Sequence, residues 1–146
     1  MIIIQTYNPE WPKEFEKIRA HLQETLGTLA LRIDHIGSTS VPGLGAKDVI
    51  DVQITVHALT DMLFNKLLDA GYQPRPHMKD HVPKGEDANP ELWSKKMVIE
   101  RPGDREANIH IRILDNPNQR YALLFRDYLR AHPNSAETIE LIKRQL

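Results

Sequence analysis

No cysteine occurs among the 146 residues. That absence excludes a disulfide framework, a thiolate-ligated zinc and a catalytic thiol, and it fits any reducing compartment. Long apolar runs are missing as well. The N-terminal "MIIIQTYNPEWPKEF" has three isoleucines after Met1 and no leading basic residue, too little for a signal peptide or a membrane span, so the cytoplasm is the expected location. Charge of one sign is lacking: 19 basic residues against 20 acidic ones leave a net charge of −1. Such a balance offers no global field to a nucleic acid or an anionic membrane, and neither is an expected partner. Internal repeats, low-complexity tracts and dividing linkers are also absent. With 40% hydrophobic and 27% charged residues, residues 1–146 read as a single globular domain.

Helical and strand periods alternate along this chain without strict βαβ order. Residues 2–6 read as a short strand, ended where Asn8 caps a helix and Pro9 opens it. Phe15, Ile18, Leu22, Leu26 and Leu29 recur at helical spacing, and Gly27 weakens or stops that helix. Residues 31–36 and 48–56 read as strands, the second with Ile50, Val52, Ile54 and Val56 on one face and Val49, Asp51, Gln53 and Thr55 on the other. A helix is expected over 59–70. The polar stretch 73–93, with four prolines, reads as a long loop. "SKKMVIE" and "REANIHIRIL" form a hairpin around "RPGD", with Asn108, His110 and Arg112 on one face. Asn116 and Pro117 open a further helix whose apolar side is Tyr121, Leu124, Phe125, Tyr128 and Leu129. "AHPNSAET" separates it from a last short helix, in which "KRQ" reads as a helix end with favourable dipole placement. Fold class is therefore α+β, a mixed or antiparallel sheet packed with helices.

Chemistry concentrates in "HIGSTSVPGLGAKDVIDVQITV", residues 35–56. Gly37 lets the backbone approach a ligand, while Ser38, Thr39 and Ser40 offer hydroxyls to an anion and Lys47 a cation. The competing reading is a plain turn with capping hydroxyls. Asp51 lies among aliphatic neighbours and needs a partner, a metal or water. Gln53 points the same way but supplies only a neutral oxygen, so any Mg²⁺ or Mn²⁺ held through Asp51 is expected to be weakly bound, and Gln53→Asp to tighten it. Asn108, His110 and Arg112 either complete a cleft for an anion or a sugar, with His110 as acid or base, or form the solvated face of an edge strand. His77 and His81 are four residues apart but sit in a proline-punctuated loop without a third ligand. Trp11 and Trp93 are expected to pack against the core or pin loops.

"YNPEWPKEFEKIRAHL", the central block just quoted and "LLFRDYLRAHPNSAETIELIKRQL" together resemble the GrpB family nearly from end to end. The resemblance implies a nucleotidyltransferase-like fold, in which a Gly-Ser turn precedes a strand carrying metal-binding acids. Transferred residue by residue, Gly37 and Ser38 take the Gly-Ser pair and Asp51 the first acid. The second acid falls on Gln53, and the third on Asn108 or His110. Related domains occur fused to dephospho-CoA kinases, where a folding-accessory role has been proposed. Three functions follow as expectations: a cleft that binds a nucleotide or phosphorylated small molecule without efficient transfer, a metal-dependent nucleotidyltransferase working through Asp51 with His110 assisting, and a protein-interaction or folding-accessory domain.

Overall fold

A computed structural model describes residues 3–76 and 80–145. Five strands form one mixed sheet: β1 (Arg32–Ile36), β2 (Ile50–Val56), β3 (Gln73–Arg75), β4 (Lys96–Ile99) and β5 (Ala107–Ile113), in the order β1-β2-β5-β4-β3. β2 and β5 run parallel at the centre, and every other pairing is antiparallel. Helices α1 (Trp11–Leu26), α2 (Asp61–Asp69), α3 (Pro90–Trp93), α4 (Pro117–Ala131) and α5 (Pro133–Arg144) complete the α+β domain.

The core lies between α1, α2 and one sheet face. Ile50, Val52, Ile54 and Val56 of β2 and Ile109 and Ile111 of β5 are at most 1% exposed and pack against Phe15, Leu22, Leu26, Leu63 and Leu67, so the two periodicities expected of these segments meet in one apolar layer. Thr60 caps α2 by accepting the Leu63 amide at 3.2 Å. The β4–β5 hairpin turns at Arg101–Asp104, closed by the Asp104 amide on the Arg101 carbonyl at 3.0 Å. Gly103, at φ +85°, takes the position after Pro102 that a type II turn reserves for glycine. Trp11 is fully buried and donates to Asp48 Oδ1 at 2.9 Å, and Trp93 donates to the Asp87 carbonyl at 2.7 Å.

Several expectations need correction. Gln5 makes a single bridge to Ala46 where a strand was expected over residues 2–6. α1 begins at Trp11 with Pro12 in its first turn, and Asn8 Oδ1 accepts the Glu10 amide ahead of it. The proline-rich stretch is less of a loop than its composition suggests. It opens with β3 at the sheet edge, where Pro74 costs no ladder bond on the solvent side, and closes with α3. α4 and α5 are separated by His132 alone. The largest difference is in α4, whose apolar stripe faces outward: Tyr121, Leu124, Phe125 and Tyr128 are 44–62% exposed, while Asn118, Gln119 and Leu129 are buried. The inner side of α4 is satisfied by hydrogen bonding to a polar sheet face, which reverses the rule that the apolar stripe turns inward. His77 lies outside the described residues.

Candidate functional site

Gly37 follows the last residue of β1 and adopts φ +72°, left-handed backbone that glycine enters freely. A Cβ there would stand 2.7 Å from Asp51 Oδ2, so the glycine also clears space for the carboxylate. Ser38–Ser40 then form one turn of 3-10 helix. Register places Ile36 opposite Asp51 and Asp51 opposite Asn108. The Gly-Ser turn, the β2 acid and the β5 amide thereby meet at one end of the central strands.

A small cleft of about 100 Å³ opens there, lined by Ser38, Thr39, Lys47, Asp51, Asn108 and Lys143 together with Ala46 and Val49. Five of the sequence-derived candidates meet in it: Ser38, Thr39, Lys47, Asp51 and Asn108. Their chemistry is unequal. Thr39 is 2% exposed with its hydroxyl 2.8 Å from His35 Nε2, and the Ser40 hydroxyl donates to the Gly37 carbonyl. Those two hydroxyls tie the turn to the His35 ring and to the Gly37 carbonyl, and neither caps a backbone amide of the turn. Ser38 is different, because its hydroxyl accepts from Lys143 Nζ of α5. From the sequence "KRQ" reads as a helix end, and Lys143 and Arg144 do stand in the last turn of α5. What that reading missed is that α5 runs back past the turn and delivers an ammonium group more than a hundred residues away in sequence, for which no local pattern gives a signal.

The second candidate row divides. Gln53 is fully buried and occupied on both sides, accepting from Arg112 Nη1 at 2.8 Å and donating to the Gln119 carbonyl at 3.1 Å. Arg112 is 8% exposed and spends its other nitrogens on Asp80, at 2.8 and 3.0 Å. Neither side chain lines the cleft among the described residues. An acid at position 53 would meet Arg112 rather than an ion beside Asp51, which removes the geometric basis for the expected metal gain in Gln53→Asp. Asp80, unmarked in the sequence, is the hub of this cluster. It also pairs with Lys95 at 2.8 Å and accepts from Asn118 at 2.9 Å. Burial opposes its charge, but Arg112 and then Lys95 outweigh that and hold its carboxyl below the usual range.

His110 links the two regions. Lys95 Nζ, a donor only, lies 3.1 Å from its Nδ1, which must therefore accept. The ring proton is left on Nε2, 3.5 Å from Asp51 Oδ1. Burial lowers the pKa of His110 despite Asp51, and Arg112 and Lys95 add to the lowering. His110 is thus a neutral ring that directs an N–H toward Asp51.

Magnesium ions need several oxygen ligands with enough negative charge to replace water. Among the described residues Asp51 is the one carboxylate lining the cleft, the neighbouring imidazole presents a proton, and Lys47 and Lys143 line the same cleft. No cluster of three or more His, Asp or Glu suited to a metal occurs among the described residues. The donor set does not fit Mg²⁺. Two lysines and one carboxylate line the cleft among the described residues.

A family model described as GrpB protein matches residues 1–146. The chain belongs to the GrpB family. Among solved structures it is similar to the conserved protein GrpB from Enterococcus faecalis, 32% identical, with a TM-score of 0.76 over 98% of this chain and 81% of that one. Cid1 poly(U) polymerase bound to MgGTP superposes with a TM-score of 0.61 over 96% of this chain and 43% of that one, at 13% identity. At that identity the likeness shows a nucleotidyltransferase-like fold and nothing of activity. The dephospho-CoA kinase of Mycolicibacterium paratuberculosis is 39% identical over 152 residues, covering 94% of this chain. This GrpB-family chain spans only 37% of that kinase. UPF0157 protein BH1888 of Halalkalibacterium halodurans is 32% identical, with 99% of this chain and 69% of that protein covered. No described helix is long and apolar enough to cross a membrane.

Proposed function

We propose that the cleft binds the phosphate group of a nucleotide or phosphorylated small molecule, and that it does so without metal-dependent nucleotidyl transfer. One observation carries this reading: Lys143 donates to the Ser38 hydroxyl at the Gly-Ser turn and Lys47 lines the same cleft, with Asp51 as the one acid lining it among the described residues. The ammonium groups supply the charge that a metal would otherwise bring to a phosphate, and Ser38 and Asn108 supply hydrogen-bonding direction. His110, neutral and aimed at Asp51, holds the carboxylate in place.

Relatives named as dephospho-CoA kinases make dephospho-CoA a rational first probe, beside ADP and inorganic pyrophosphate. Calorimetric titration in the presence of EDTA should give saturable heat with at least one of the three. Lys143→Gln should weaken it about tenfold, the worth of one charged hydrogen bond. Absence of heat with every probe overturns the reading, as does binding that appears only when Mg²⁺ is added. Transfer of a radiolabelled nucleotidyl group from a triphosphate, abolished by Asp51→Ala, would show that the chemistry survives and overturn its second half.

A further inference from the structure

The outward stripe of α4 has a regular spacing. Pro117, Tyr121, Leu124, Tyr128 and Ala131 follow one another at alternating steps of four and three residues, the seam of a coiled coil over about 22 Å of helix. Tyr121, Leu124 and Tyr128 are 56, 62 and 51% exposed. Scattered exposed apolar residues are ordinary, but a stripe in heptad register on one helix marks a surface made for another helix.

Charge flanking the stripe identifies that helix. Arg120 and Asp127 are seven residues apart, on the same edge of the seam, each just before a tyrosine. In a parallel pair such positions face the opposite edge of the partner, whereas in an antiparallel pair they face each other. When Tyr121 layers against Leu124 of an antiparallel second copy, Arg120 falls opposite the second copy's Asp127, and the two-fold axis repeats the pair. Both groups are available for it. Arg120 is exposed and makes no ion pair among the described residues, and Asp127 is 58% exposed, engaged by Arg126 through Oδ1. The same register leaves Phe125 on the other edge of the seam, about 7.5 Å along the axis from its copy. Phe125 is 44% exposed and stacks on Tyr121 with ring centroids 6.3 Å apart.

We infer that α4 is a self-association surface, joining two copies of this chain as an antiparallel, two-fold pair of α4 helices. Apolar layers provide attraction and the Arg120–Asp127 pairs set direction and register, since a parallel or shifted arrangement leaves them unmatched. The surface is separate from the cleft. The inner side of α4 keeps its bonds to the sheet and the turn, where Arg126 donates to the His35 carbonyl and Arg130 to the Ser40 carbonyl.

Sedimentation equilibrium of the whole chain from low micromolar to sub-millimolar concentration tests this. A mass of twice 16.8 kDa should be approached as concentration rises, because a seam of about two heptads makes a reversible contact. Leu124→Glu should remain a monomer throughout, and its exposed site leaves the fold intact by circular dichroism. Arg120→Asp and Asp127→Arg should each weaken association at least tenfold, and the double variant should recover it. A natural chain that stays monomeric at every concentration overturns the inference and leaves the stripe to a different partner. Dimers that persist in Leu124→Glu, or charge variants that fail to rescue one another, overturn the arrangement.

Discussion

Gly37 is fixed by two separable constraints, the left-handed φ of +72° and the 2.7 Å that a Cβ would leave to Asp51 Oδ2. Gly37→Ala should therefore destabilise the fold by roughly 1–3 kcal/mol. In an Asp51→Ala background the same change should cost less, because the carboxylate is gone, yet more than nothing, because the backbone strain remains. Urea denaturation of the four chains measures the coupling, and strict additivity would show that the turn and the acid do not touch. His35 is the second residue that the turn constrains. Burial against Phe15, with its ring centroid 4.8 Å away, and then the Arg130 guanidinium lower its pKa to about 4 from 6.5. Its folded form is neutral, so the stabilisation is complete above pH 6.5. As pH falls from there toward 4 the unfolded chain takes up the proton first, and about 2–3 kcal/mol is lost. Denaturation midpoints followed from pH 7.5 to 4 should show that slope, flattened in His35→Gln. Burial of His110 has the same sign and should leave part of it in the variant.

Between neighbouring elements the decisive object is the polar layer under α4. Asp80 joins the stretch before α3 to Arg112 of β5, to Lys95 and to Asn118 of α4. Removing one member of such a cluster strands the others, so Asp80→Ala should cost roughly 2–4 kcal/mol, reduced from the cost at a fully buried site by its partial exposure. Hydrogen exchange should speed up first in the segment before β4 and in the first turns of α4. Protection unchanged there would mean that apolar contacts alone hold α4. This layer also marks the limit of what the sequence could tell. Period-2 alternation in β2 and β5 and the 3.6 period of α1 were legible because both sides of that contact are apolar, and one rule serves each. The same rule misplaced the stripe of α4, since periodicity defines a face without saying what it meets. Gln53 was legible in one polar row with Asp51, and Arg112 in a second row with Asn108 and His110. Their division into cleft and buried cluster depends on Asp80 and Gln119, which come from elements that carry no local signal. Lys143 escaped for the same reason.

At the scale of the whole molecule, a net charge of −1 coexists with a cleft lined by two lysines and one acid among the described residues. The attraction that the proposed site exerts on a phosphate-bearing ligand is accordingly local, reaching about a Debye length of 8–10 Å at physiological salt. Stability is where ligand and self-association meet, because each binds the folded state alone and each raises the melting temperature by mass action. A ligand at 100 times its Kd adds about 2.7 kcal/mol, which for a domain of about 150 residues is a shift of roughly 5–11 °C. Self-association adds a shift that depends on protein concentration instead. The two should separate cleanly in melting curves recorded over a grid of both concentrations. Leu124→Glu should abolish the dependence on protein while keeping the full shift with dephospho-CoA or ADP, and Lys143→Gln should shrink the ligand shift while keeping the dependence on protein. If Leu124→Glu also loses the ligand shift, the cleft and the outer face of α4 are coupled through Arg126 and Arg130, and the phosphate site is complete only in the pair. Should Lys143→Gln leave the ligand shift whole, the phosphate is held elsewhere and the cleft at the Gly-Ser turn is structural.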